Sequence, residues 1–175
     1  MGIINFIKNK FLSKKVDKLE NKYLNLSFEE LKALEDHELF MAIDVKTYTK
    51  VEKNDFNFLN EHEKVFYVIN YFDTEVMNGG LCQFFVNSCR TYAPYISDFL
   101  DKLNAKKHKK LFDSFIKKNK INLEYLDDFE SDNAEEFISQ YDKYPFDEFD
   151  LEYYELESIQ TFLLKYIKEN INNFK

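Results

Sequence analysis

Glycine, proline and tryptophan are scarce in this chain, which has three glycines, two prolines and no tryptophan in 175 residues. A meander of short strands needs a turn residue at nearly every reversal, so this scarcity argues against a β-sandwich or barrel. Arg90 is the one arginine among 24 basic residues. That disfavours chemistry built on bidentate guanidinium clamps and leaves phosphate recognition to lysine. Cys82 and Cys89 lie seven residues apart; on a helix that spacing separates their Cα atoms by about 10 Å, too far for a disulfide. Free thiols are expected. No window approaches 18 apolar residues, and the amino terminus lacks a continuous apolar core with a small-residue cleavage site. Met1-Gly2 opens like an acylation site, but Phe6 stands where that motif needs Ser or Thr. The expectation is a cytoplasmic chain without membrane attachment.

Aromatic residues are abundant, at 18% of the chain with 19 Phe and 12 Tyr. The core should be built of rings, with tyrosine hydroxyls reaching polar partners. Ile3, Ile4, Ile7 and Phe11 recur at helical spacing among lysines, predicting a basic amphipathic helix over residues 1–20 that packs on or extends from a helical domain over 21–175. Ser27-Phe28-Glu29-Glu30 has the form of a capping box opening a helix through Leu31, Leu34, Leu39 and Ile43, with a looser polar segment over about 46–58. Asn60 and Glu63 make a second cap, and Val65, Ile69, Phe72 and Val76 step by four, three and four. That helix should stop at Asn78-Gly79-Gly80, one glycine taking a left-handed position and the other allowing close helix approach, and resume at Leu81, Phe84 and Phe85.

Further along, Pro94 suits a first helical turn, Asn104 can cap a lysine-rich helix, and Asp132 with Glu135 can cap another. Pro145 is a break, and a last helix from about Asp150 carries Leu156, Ile159, Leu163 and Tyr166. The fold class is all-α, a single-domain irregular helical bundle.

No motif nominates a nucleophile with its base. There is no nucleotide loop, and His37, His62 and His108 lack neighbours at metal spacing, so no metal or cofactor is expected. Glu61-His62-Glu63 reads as a solvated helix start. Charge layout says more. Residues 102–120 hold eight lysines against Asp113, a net of +7, and residues 121–157 hold fourteen acids against Lys143, a net of −13. These runs can be ordinary solvated faces, or they can pair with each other. The acidic run also has a functional reading, because helical carboxylates at i, i+3 and i+4 recur at about 4.5 to 6 Å, close to the phosphate spacing of a DNA strand. Glu148, Glu152 and Glu155 form such a row. The candidate face comprises these with Glu124, Asp127, Asp128, Glu130, Asp132, Glu135, Glu136, Asp147 and Asp150. A sequence pI near 5.0 argues against direct contact between the lysines and nucleic acid.

The run from Glu75 to Asn87, EVMNGGLCQFFVN, together with Phe146-Asp147-Glu148-Phe149-Asp150 and Tyr166-Ile167-Lys168-Glu169-Asn170, resembles a bacterial helical family, formerly a domain of unknown function and now named for a DNA-mimic protein. The likeness spans roughly residues 25–173. It implies an all-helical fold, homodimers, and an acidic surface with which at least one member sequesters a DNA-binding transcription factor. It singles out Asn78, Gly79, Gly80, Gln83, Phe84, Phe85 and Asn87 as the family motif.

Three functions stay open. The first is a non-enzymatic protein that engages a basic, DNA-binding protein through its carboxylates. The second is an immunity protein that neutralises a toxin. The third is a small-molecule or enzymatic site at the Gly79-Gly80 corner, built from Asn78, Gln83 and Asn87 with Cys82 as a thiol.

Overall fold

The computed structural model describes residues 21–130 and 134–174, and among these every regular element is a helix. The expected amphipathic helix over residues 1–20 and the Asp132 cap lie outside the described residues. Two compact units emerge, one from residues 21–63 with 170–174 and the other from residues 64–169.

In the first unit Ser27 closes its capping box, the Glu30 carboxylate accepting the Ser27 N–H at 2.8 Å and the Ser27 hydroxyl accepting the Glu30 N–H at 3.3 Å. The helix that follows is short. α1 spans Phe28–Lys32, and α2 (Asp36–Lys53) starts afresh after Glu35, whose backbone is extended. The sequence predicts one helix here because no glycine or proline marks the break, and apolar spacing runs through it. α2 also covers residues 46–53 of the segment expected to be loose, the rest of which holds a 3-10 turn at Phe56–Phe58. Thr47 makes this feasible by donating its hydroxyl to the Ile43 carbonyl at 2.9 Å, which satisfies a buried polar group inside the helix.

Asn60 is the cap its sequence predicts: Oδ1 accepts from the N–H groups of His62 at 2.9 Å and Glu63 at 3.1 Å, and Glu63 accepts the Asn60 N–H at 3.0 Å. Glu63 is not solvated, however. It is buried, and its second oxygen takes the Lys50 ammonium.

α3 spans Glu61–Val86 with a kink at Gly79-Gly80. The second unit holds most of α3, a 3-10 turn at Ser88–Tyr92, α4 (Ala93–Lys102), α5 (Lys106–Asn119), a 3-10 turn at Asp127–Phe129, α6 (Ala134–Tyr141), α7 (Phe146–Tyr154) and α8 (Ile159–Glu169). Val65, Ile69, Phe72 and Val76, the four-three-four series, are fully buried. Phe72 sits at the centre of the ring core, meeting Phe84 edge-on at 5.1 Å, Phe112 at 5.7 Å and Tyr153 at 5.8 Å between centroids. Each such pair contributes about 0.5–1.5 kcal/mol beyond the area it buries.

α4 packs on α5, and α5 on α7. Between α4 and α5, Asn104 does not cap the lysine-rich helix but takes a left-handed conformation (φ 58°), ending α4 as the Ala105 N–H bonds to the Leu100 carbonyl at 2.9 Å. The last predicted helix is also two, separated at residues 155–158. Leucine and isoleucine spacing again ran across a break that lacks glycine and proline.

Candidate functional site

The Asn78-Gly79-Gly80 corner is a helix break held by side chains from both directions along the chain. Gly80 has φ 77° and ψ 176°, a conformation open in practice only to glycine. This is not the left-handed helical position predicted for one of the pair, because ψ is extended. Its effect is to turn the Leu81 N–H outward from the preceding helix, where it donates to Asp150 Oδ1 at 2.8 Å. Asp150 comes from α7 and acts as the N-terminal cap of the helix after the kink. A Cβ on Gly80 would meet Asp150 Oδ2 at 2.1 Å. What approaches Gly80 closely is therefore a carboxylate side chain, rather than the second helix that the sequence predicts.

The other side of the corner is fastened by Glu75. Its Oε2 accepts from Gln83 Nε2 and Asn87 Nδ2, each at 2.7 Å. On a straight helix, residues eight apart would be about 12 Å from each other; the kink folds that distance away. Gln83 and Asn87 thus satisfy a carboxylate of their own chain. Phe84 and Phe85 are fully buried, Phe85 stacking on Phe129 with centroids 4.8 Å apart. Cys82 is buried beneath the kink, and burial, with the Asp150 charge adding to it, pushes its thiol up to about 12. Burial does the same to Cys89. Neither thiol is poised as a nucleophile. Asn78, by contrast, is exposed.

The candidate carboxylates separate into three groups. Asp150 leaves the acidic face altogether, since it is 8% exposed and committed to Leu81. Burial raises its pKa above the ordinary carboxylate value, with the Leu81 N–H opposing and the Asp147 charge reinforcing the shift.

A second group is engaged by neighbours. Asp147 accepts the Tyr141 hydroxyl, Glu130 pairs with Arg90 at 2.5 Å, and Glu148 pairs with Lys118 at 3.1 Å. Glu152 lines one shallow recess with Lys118 and another with Lys107 and Lys110. Of the predicted row, Glu148 thus carries a lysine counter-charge, Glu152 shares recesses with lysines of α5 without an ion pair among the described residues, and Glu155 stays exposed.

A third group, Glu124, Asp127, Asp128, Glu135 and Glu155, is exposed. The first three lie in or beside the turn at Asp127–Phe129, which Phe129 anchors in the core. Gln140 of α6 donates its amide to the Asp128 carbonyl, tying the helix that carries Glu135 to that turn. Asp132 and the side chain of Glu136 lie outside the described residues.

No helix among the described residues is long and apolar enough to cross a membrane, and no group of three or more His, Cys, Asp or Glu there could hold a metal ion. Sequence spacing missed Glu75 as a lock and Asp150 as a cap, although both stand inside the stretches that carry the family likeness. A family model described as DMP19-like protein matches residues 57–170, a span containing the corner, its lock and its cap. No curated protein and no solved structure matches the sequence. With well over half its length matched, the chain belongs to the DMP19-like protein family.

Proposed function

We propose that this protein is a non-enzymatic acidic binding protein that engages a basic, DNA-binding protein through the carboxylates around the turn at Asp127–Phe129. The observation that carries this reading is the exposed set Glu124, Asp127, Asp128 and Glu135, which makes no ion pair among the described residues. Family membership supports it, because the resemblance implies at least one member that sequesters a DNA-binding transcription factor with an acidic surface. Unpaired surface carboxylates gather a counterion atmosphere, and a basic groove that displaces those ions gains the same entropy it gains from DNA. Glu148 and Glu152 contribute less, since lysines of α5 lie beside them.

The test is capture of DNA-binding proteins on the immobilised chain, with elution by added duplex DNA. The wild type should release its captured protein to DNA and to high salt. Asp127→Lys, Asp128→Lys and Glu135→Lys combined should weaken capture at least ~tenfold, while Glu148→Lys with Glu152→Lys should change it little. Undiminished capture by the triple variant, or indifference to competing DNA, would end this reading.

A further inference from the structure

In the second unit a cavity of about 410 Å³ opens where α3, α5 and the end of α7 meet, walled in part by Asp73, Asn78, His108, Tyr153, Tyr154 and Glu157. That volume is in the range of small-ligand sites. Both tyrosine hydroxyls around it have committed their donors, while Thr74, Asn78, Ser158 and Gln160 add hydroxyl and amide groups to its wall. The Tyr153 hydroxyl donates to Asp73 Oδ1 at 2.8 Å, and the Tyr154 hydroxyl donates to the Val76 carbonyl at 3.0 Å. One ring nitrogen of His108 is bonded to the Glu157 carbonyl, exposed by the break between α7 and α8. The other, Nδ1, is the one buried side-chain polar atom without a partner among the described residues, on a side chain only 3% exposed.

A buried nitrogen left unpaired costs roughly 1–3 kcal/mol, so such an atom beside a cavity marks where a ligand donor would be rewarded. Burial lowers the His108 pKa, with the Glu157 carbonyl opposing, so the ring is neutral at pH 7 and Nδ1 is a lone-pair acceptor. Among the described residues the walls hold two carboxylates, Asp73 and Glu157, two phenol rings, and no lysine or arginine. An occupant matched to the two carboxylates, the aromatic faces and the unpartnered ring nitrogen donates hydrogen bonds and carries positive charge.

We propose that this cavity binds an alkylammonium group, held by Asp73 and Glu157 with an N–H directed to His108 Nδ1. The cavity shares no residue with the acidic face above, so either reading can fail alone. The group can arrive on a free amine or on a lysine side chain, and two probes separate these sources: 1,4-diaminobutane and Nα-acetyl-lysine methylamide. Both are titrated into the full chain by calorimetry and by ¹⁵N NMR of the histidine rings, with 1,4-butanediol and succinate as neutral and anionic controls.

Saturable binding of at least one amine is expected, with the His108 Nδ1 resonance moving and neither control binding. The stronger amine identifies the source. Glu157→Gln, at an exposed position, should weaken the amine about tenfold, and Asp73→Asn should weaken it further. Equal responses to diamine and diol, a stationary His108 resonance, or unchanged affinity in both variants would overturn the proposal.

Discussion

At Gly80 a methyl group would lie 2.1 Å from Asp150 Oδ2, on a backbone whose φ of 77° already excludes most side chains. Gly80→Ala should therefore cost about 3 kcal/mol or more, because strain and collision add. Gly79 differs. Its added Cβ would meet Gln83 Oε1 at 2.0 Å, but that atom ends a flexible side chain, and the backbone φ of −157° suits any residue. Gly79→Ala should cost nearer ~1 kcal/mol, mainly by disturbing the Gln83 amide bond. Urea denaturation of the two variants would show the order, and equal losses would contradict the geometry.

Asp150 makes a second residue-level prediction. Its folded pKa lies above the ordinary 3.8, so the folded state holds a proton that the unfolded state releases. That contribution is complete below the unfolded value and is lost as pH rises through the folded one. Asp150→Asn keeps an acceptor for Leu81 without ionising. Relative to wild type it should become more stable as pH rises from about 4 to 7, whereas Asp150→Ala loses the cap and about 1–3 kcal/mol at every pH. A wild-type advantage over Asn that grows with pH would refute the assignment.

Among the elements, α3 shows what was legible and what was not. Its start was written in Asn60 and Glu63, its buried face in a four-three-four rhythm, and its interruption in two adjacent glycines. Each of these signals is local, because capping and periodicity act within a few residues. The lock and the cap are not local. Glu75 reaches Gln83 only because the kink exists, and Asp150 lies 69 residues from Leu81, so no spacing rule connects either pair. The breaks at residues 33–35 and 155–158 stayed hidden for a different reason: no glycine or proline marks them, and apolar residues continue at helical intervals on both sides. The acidic row on α7 was legible as a row, but the pairing of Glu148 with Lys118 of α5 depends on how two helices pack. Glu75→Ala should loosen α3 at the corner, lowering stability by about 1–3 kcal/mol. Amide exchange should accelerate most near Gln83 and Asn87, and uniform acceleration along α3 would count against a local lock.

For the whole molecule, a formal charge of −8 conceals a lysine run and an acidic run of opposite sign. Their contact at Lys118 and Glu148 is exposed on both sides and contributes little to stability, within about 1 kcal/mol. For the proposed binding it matters in that Glu148 already has a lysine beside it. Capture of such a partner should fall as salt rises, and the triple reversal at Asp127, Asp128 and Glu135 should flatten that dependence. A salt slope unchanged in the triple variant would place the contact elsewhere. The cap on Leu81 also fixes an order of events in time. During synthesis the corner emerges long before Asp150, so nascent α3 must wait with an uncapped break until α7 is delivered. Contacts that close such long loops tend to form late, and loss of the Asp150 carboxylate should hasten unfolding while leaving the folding rate nearly unchanged.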